Sequence, residues 1–226
     1  MIISPGRKYI FVHIPKTAGT AMALALEGRA MKDDLMLGDT PKALKRRRRL
    51  RDAQSAGRLW KHSTLADIEG VVSAEDIRDS FTFTLVRNPW DRMVSYYHWL
   101  RVQSFDHPAV KLAQRLEFQA FTCHPHTQRS LRNAPYGSYM RLHGQEVGRC
   151  FIRIEEFAED AAPLFDHLGF ELTLERVNAS DRGPVYQDYY SDQTRTAVAD
   201  ACAEDIARFG YTFSTKKPRR EDRGFL

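Results

Sequence analysis

Cysteine is scarce in this 226-residue chain: Cys123, Cys150 and Cys202 are widely spaced, odd in number and form no CxxC pair. That excludes a disulfide framework and points to a reducing compartment. Long apolar runs are missing as well. No stretch approaches the roughly 18 to 20 apolar residues a spanning helix needs, so an integral membrane protein is not expected. The opening MIISPGRKYIFVHIP carries too short an apolar run for a signal peptide, and a cytoplasmic location is expected. No Gly/Ser/Pro-rich linker divides the chain and no internal repeat is visible. With 42% apolar residues it can bury one sizeable core, and one domain over residues 1–226 is expected. Metal-ligand spacing is lacking too: Cys123, His124 and His126 have no second cluster, so no metal is expected.

Acidic residues are absent from one stretch. Residues 42–51, KALKRRRRLR, hold seven of the 34 basic side chains, and the other 27 face 29 acidic ones. The net charge of +5 is thus a local patch on a slightly acidic chain, with a short basic tail at about 215–226. Such a patch attracts nucleic acid, anionic lipid or an acidic glycan, or is simply a solvated helix face. Nucleic-acid modules combine a basic face with recognisable motifs, and one basic helix does not make one. No nucleic-acid partner is expected.

The apolar run YIFVHI (9–14) reads as a buried strand, followed by a turn and a helix, AMALALEG. FTFTLV (81–86) is a second strand, followed by RNPW and a helix, DRMVSYYHWLRVQ, with Asp91 as cap or first-turn acid. CFIRI (150–154) is a third strand. Helices are also expected at 41–54, at 108–121, after Ser63 and Thr64 as caps, over EEFAEDAAPLFDHLG, and from Ser191 to Phe209 before Gly210. Residues 171–190 read as loop. Strands alternating with helices predict an α/β fold with a mainly parallel sheet, whose ligands sit at the carboxyl ends of the strands.

Two motifs carry chemistry. In HIPKTAGT a strand ends, a turn exposes backbone N–H groups and a helix begins. Free N–H groups and the positive helix end converge there on an anion, with Lys16 adding charge and Thr17 and Thr20 adding hydroxyls. It is not a Walker A loop, because its lysine precedes the glycine. A nucleotide-dependent phosphotransferase on a P-loop-like sheet remains the alternative, with a basic nucleic-acid-binding domain behind it. In RNPWDRMVSYY, Arg87 follows a strand, where its guanidinium can fork onto a phosphate, and Ser95 lies eight residues later on the next helix.

Together these stretches resemble the PAPS-binding motifs of the sulfotransferase superfamily (PAPS is 3′-phosphoadenosine 5′-phosphosulfate), above all the branch of carbohydrate sulfotransferases and their bacterial relatives. The resemblance implies a P-loop-like fold and transfer of sulfonate from PAPS to a hydroxyl, that of a glycan or glycoconjugate. It implies that Pro15, Lys16, Thr17, Ala18, Gly19 and Thr20 hold the 5′-phosphosulfate, and that Arg87 and Ser95 hold the 3′-phosphate. Lys16 and Thr20 would stabilise charge on the leaving phosphate. KHSTLADI looks like the family stretch bearing the catalytic histidine, making His62 the general base, with an acid limb expected near the ordinary histidine pKa of about 6.5. VNAS would place Asn178 and Ser180 near the nucleotide. FIRIEEF and the last helix resemble later family segments, whereas the basic run and residues 101–145 have no counterpart. The acceptor's identity and the oligomeric state stay open.

Overall fold

The structure, a computed structural model, describes residues 1–175, 182–183 and 185–213. Asn178, Ser180 and the basic tail lie outside the described residues. Along the chain run β1 (Ile2–Ser4), β2 (Tyr9–Val12), α1 (Gly19–Gly28), β3 (Leu35–Met36), α2 (Pro41–Arg46), α3 (Ala74–Asp79), β4 (Phe81–Val86), α4 (Pro89–Arg101), α5 (Pro108–Arg115), α6 (Phe118–Cys123) and α7 (Pro125–Arg132). They continue with β5 (Arg141–Leu142), β6 (Gln145–Glu146), β7 (Cys150–Arg153), α8 (Phe157–Asp160), α9 (Ala162–Leu168), α10 (Asp192–Ala201) and α11 (Ala203–Phe209). The chain divides into two compact units, residues 1–86 with 136 onward to 175, and residues 87–135 with those from 182.

The first unit holds a five-stranded sheet in the order β3-β1-β2-β4-β7. The strands that carry the motifs are parallel: Val12 lies opposite Thr84, and Val86 opposite Arg153. The antiparallel edge formed by β1 and β3 was not anticipated from sequence. Both faces of the sheet are covered, which is why β2 is apolar at every position. Tyr9 and Phe11 pack with Met22 and Leu26 of α1 on one face, while Ile10 and Val12 pack with Leu65, Ile68 and Ile77 on the other. In β4 the alternation is Phe83 and Leu85 against Thr82 and Thr84. The buried Thr84 hydroxyl donates to the Val12 carbonyl at 2.7 Å and pins the end of β2, where the first motif begins.

The second unit is helical. Trp90, Met93, Val94, Tyr97 and Leu100 form the buried stripe of α4, packed with Phe118, Phe121 and Val198. Trp90 Nε1 donates to the Arg195 carbonyl at 3.0 Å, and the Tyr190 hydroxyl donates to the Trp90 carbonyl at 2.8 Å. His107 and His124 cap α5 and α7, each Nδ1 accepting a backbone N–H two residues on. Among the described residues no helix is long and apolar enough to cross a membrane.

Several expected helices are corrected. The helix at 41–54 ends at Arg46 and continues as a 3₁₀ turn over Arg47–Leu50. KHSTLADI is a run of turns. Thr64 and Asp67 bond reciprocally as a cap would, the Thr64 N–H to Asp67 Oδ2 at 2.7 Å and the Asp67 N–H to Thr64 Oγ1 at 3.2 Å, but no helix follows. The helices at 108–121 and 191–209 each break once, at Leu116–Glu117 and at Cys202. A 3₁₀ turn at Tyr186–Tyr189 interrupts the expected loop.

Candidate active site

In the first unit the chain leaves β2 through His13, Ile14 and Pro15 and enters a loop of unusual backbone. Lys16 (φ 67°) and Ala18 (φ 59°) are both left-handed, although neither is glycine. Each costs roughly 1 to 2 kcal/mol, and such strain persists where function requires the conformation. Left-handed residues in a tight loop can turn successive N–H groups to one side, the geometry of an anion-binding concavity. Ala18 is also the N-cap of α1, and no side-chain hydrogen bond caps this helix among the described residues. N–H groups at such a helix start are the kind that can hold an anion.

Thr17 is fully buried, and its hydroxyl donates to the Ile14 carbonyl at 3.0 Å. Its side chain braces the loop, so Thr17 can offer a ligand only its backbone. Gly19 is required by close approach. A Cβ there would lie 2.0 Å from Cδ2 of His13, whose ring packs against the helix start. His13 is itself buried, and burial first, then nearby positive charges including Lys16, hold its pKa well below the ordinary histidine value.

His62 stands beside this assembly. Its Nδ1 lies 2.7 Å from the His13 carbonyl oxygen. A carbonyl only accepts, so Nδ1 carries the hydrogen and the neutral ring presents a bare Nε2 lone pair, the form a general base needs. Burial is the main cause that lowers the His62 pKa, to about 4, against the opposing bond to His13. The backbone on either side is fixed. Met1's nitrogen donates to the Lys61 carbonyl at 2.9 Å, and Ser63 Oγ accepts the Trp60 N–H at 2.9 Å and donates to the Arg58 carbonyl at 2.8 Å. The Trp60 ring meets the His62 ring edge-on at 4.9 Å.

In the second unit Asn88 caps α4, its Oδ1 accepting the Trp90 N–H, and Pro89 takes the first helical position. Asp91 is therefore a first-turn acid rather than the cap. It holds two arginines: Arg87 Nε and Nη2 donate to its Oδ2 at 2.8 and 2.5 Å, and Arg182 Nη1 lies 2.7 Å from its Oδ1. Burial alone would raise the Asp91 carboxyl, but the two guanidiniums outweigh it and hold the pKa below the ordinary carboxylate range. Ser95, only 4% exposed, follows Asp91 by one turn on the same helix face.

Sequence reasoning missed Arg182 and the clasp it forms, and it missed Trp60. The i,i+4 spacing of Arg87 and Asp91 was a usable signal. Nothing in the 171–190 segment pointed to Arg182.

A β-α unit with an anion-accepting loop after its first parallel strand, on a sheet covered on both faces, is a P-loop-like α/β fold. The chain belongs to the sulfotransferase family, whose model matches residues 1–212, and so to the PAPS-dependent enzymes that its two motifs resemble. No curated protein matches it. Among solved structures it is similar to mouse sulfotransferase SULT7A1 complexed with PAP, at 15% identity over 90% of this chain and 85% of that one, with a TM-score of 0.47.

Proposed function

We propose that the chain transfers sulfonate from PAPS to a carbohydrate hydroxyl, with His62 as general base and the Pro15–Thr20 loop as the phosphosulfate site. The observation that carries this reading is the pairing of the left-handed loop with the neutral, Nδ1-protonated His62. The acceptor O–H gives its proton to His62 Nε2, the acceptor oxygen attacks sulfur, and the bond from sulfur to the 5′-phosphate oxygen breaks. The products are a sulfate ester and 3′-phosphoadenosine 5′-phosphate (PAP). Lys16, the loop N–H groups and Thr20 stabilise the charge that develops on the leaving phosphate. Arg87 and Ser95 take the 3′-phosphate, as the family motif implies, with Asp91 setting the guanidinium's orientation.

The carbohydrate acceptor follows from the branch that the motifs resemble. Three unpaired cysteines support a reducing compartment such as the cytoplasm. Calorimetry with PAP and with AMP tests the nucleotide assignment. PAP is expected to bind at least about tenfold more tightly, since the 3′-phosphate adds charge-assisted bonds. Equal affinities overturn it.

A further inference from the structure

The basic run does two separable jobs. Some of its cations are committed to the protein's own backbone. Arg46 Nη1 donates to the Met31 carbonyl at 2.7 Å, Arg49 Nη1 donates to that of Lys32 at 2.5 Å, and Lys42 donates to that of Glu27. Lys45, Arg47, Arg48 and Arg51 are exposed and have no ion pair or side-chain hydrogen bond among the described residues. These four line a groove of about 810 Å³. Trp60 also lines it, with 41% of its surface exposed and the Arg58 guanidinium 4.8 Å from the ring centroid. The acid in the groove, Asp39, is neutralised by Lys61 at 2.6 Å. The groove leads toward the chemistry: Gly38, Asp39 and Lys61 also line a small adjoining cavity that reaches His13 and Thr20 of the motif loop. Trp60 touches His62.

We infer that this groove is the acceptor subsite and selects an anionic oligosaccharide, carboxylated or already sulfated. Lys45, Arg47, Arg48 and Arg51 bind its acid groups, and Trp60 gives a sugar ring an apolar face. Four exposed cations along an open groove suit a chain of spaced negative charges, and a half-exposed indole set in a concave groove suits a pyranose ring better than the flat surface of a bilayer. Because Trp60 of the groove meets the His62 ring, and the groove shares Lys61 with the small cavity that Thr20 lines, a sugar seated there is a substrate rather than a remote ligand. The inference rests on the proposed function above.

The test uses the full chain and follows Trp60 by tryptophan fluorescence. A hexasaccharide of alternating glucuronic acid and N-acetylglucosamine is titrated at low salt, beside its carboxyl-reduced neutral analogue. PAP binding is measured calorimetrically on the same samples. The anionic probe is expected to bind at least about tenfold more tightly than the neutral one, and its affinity to fall steeply with salt. The double variant Arg47→Gln/Arg48→Gln is expected to lose about tenfold or more of that affinity while keeping PAP affinity and melting temperature, as exposed unpaired side chains should. Trp60→Phe removes the fluorescence response but keeps charge-dependent binding by calorimetry. Equal affinity for charged and neutral probes, or an unchanged double variant, overturns the inference while normal PAP binding leaves the enzyme assignment standing. Tighter charge-dependent binding of a single-stranded RNA 20-mer or of phosphatidylglycerol vesicles also overturns it. A wild-type chain that binds no PAP fails the enzyme assignment instead.

Discussion

In the proposed mechanism Lys16 and His62 divide the chemistry between them. Charge on the leaving phosphate grows as the S–O bond breaks, so Lys16 interacts more strongly with the transition state than with bound PAPS. Lys16→Ala should lower kcat by about 10² to 10³, the loss seen when one preorganised donor is removed, with a much smaller change in PAP affinity. Single-turnover rates at saturating PAPS check this, and normal turnover contradicts it. For His62, burial changes the expectation drawn from sequence. A pKa of about 4 keeps the ring neutral well below pH 6.5, so the acid limb of kcat/KM for PAPS should lie near pH 4 rather than near 6.5. Bound PAPS is polyanionic and favours the protonated ring, so the limb in kcat should lie higher than the limb in kcat/KM. The sign for stability follows from the same shift. The unfolded chain binds the proton first, so the contribution is complete above about pH 6.5 and is lost as pH falls toward 4. His62→Ala should remove the limb altogether, and an unaltered pH profile would move the base elsewhere.

The loop and α1 act as one element, and Gly19 joins them. Gly19→Ala puts a Cβ against the His13 ring at 2.0 Å, and because His13 is buried the helix start must move. Overpacking of this kind costs about 1 to 3 kcal/mol, or a melting temperature lower by about 2 to 12 °C, and PAP binding should weaken with it. A thermal melt and a PAP titration decide, and an unchanged protein in both would show that the close approach is not needed. The three parallel strands were the legible ones: FTFTLV is a strand at the residues expected, because a short run of β-branched and aromatic residues that meets a turn reads as a buried strand. Helix ends were less legible, since tertiary bonds set them. Leu116 turns extended and gives its carbonyl to the Tyr97 hydroxyl at 2.9 Å, which ends a helix that propensity alone would carry on. KHSTLADI has the cap chemistry of a helix start, yet the Leu65 N–H goes to the Tyr139 carbonyl at 3.0 Å, a partner far along the chain.

At the scale of the whole molecule, the described residues belong to the two units in alternation, 1–86, 87–135, 136–175 and 182 onward, so neither unit is a continuous segment that a linker could set apart. This is why composition showed no boundary. The family motifs were legible because each follows a strand or sits in a recognisable segment, and the family match over residues 1–212 agrees with them. Arg182 and Trp60 were not, because their partners Asp91 and His62 meet them only through folding. The division of the basic run into braces and groove-lining cations was equally hidden, since all seven look alike in sequence. Sulfonate transfer itself is the reaction to measure. The chain should be incubated with sulfur-labelled PAPS and a panel of oligosaccharides and simple alcohols, with products read by mass spectrometry. The predicted result is label in an oligosaccharide with an equal amount of PAP formed, and about 10²- to 10³-fold less initial product from Lys16→Ala in the same time. PAPS left unconsumed with every acceptor, while ATP phosphorylates one of them, would contradict it.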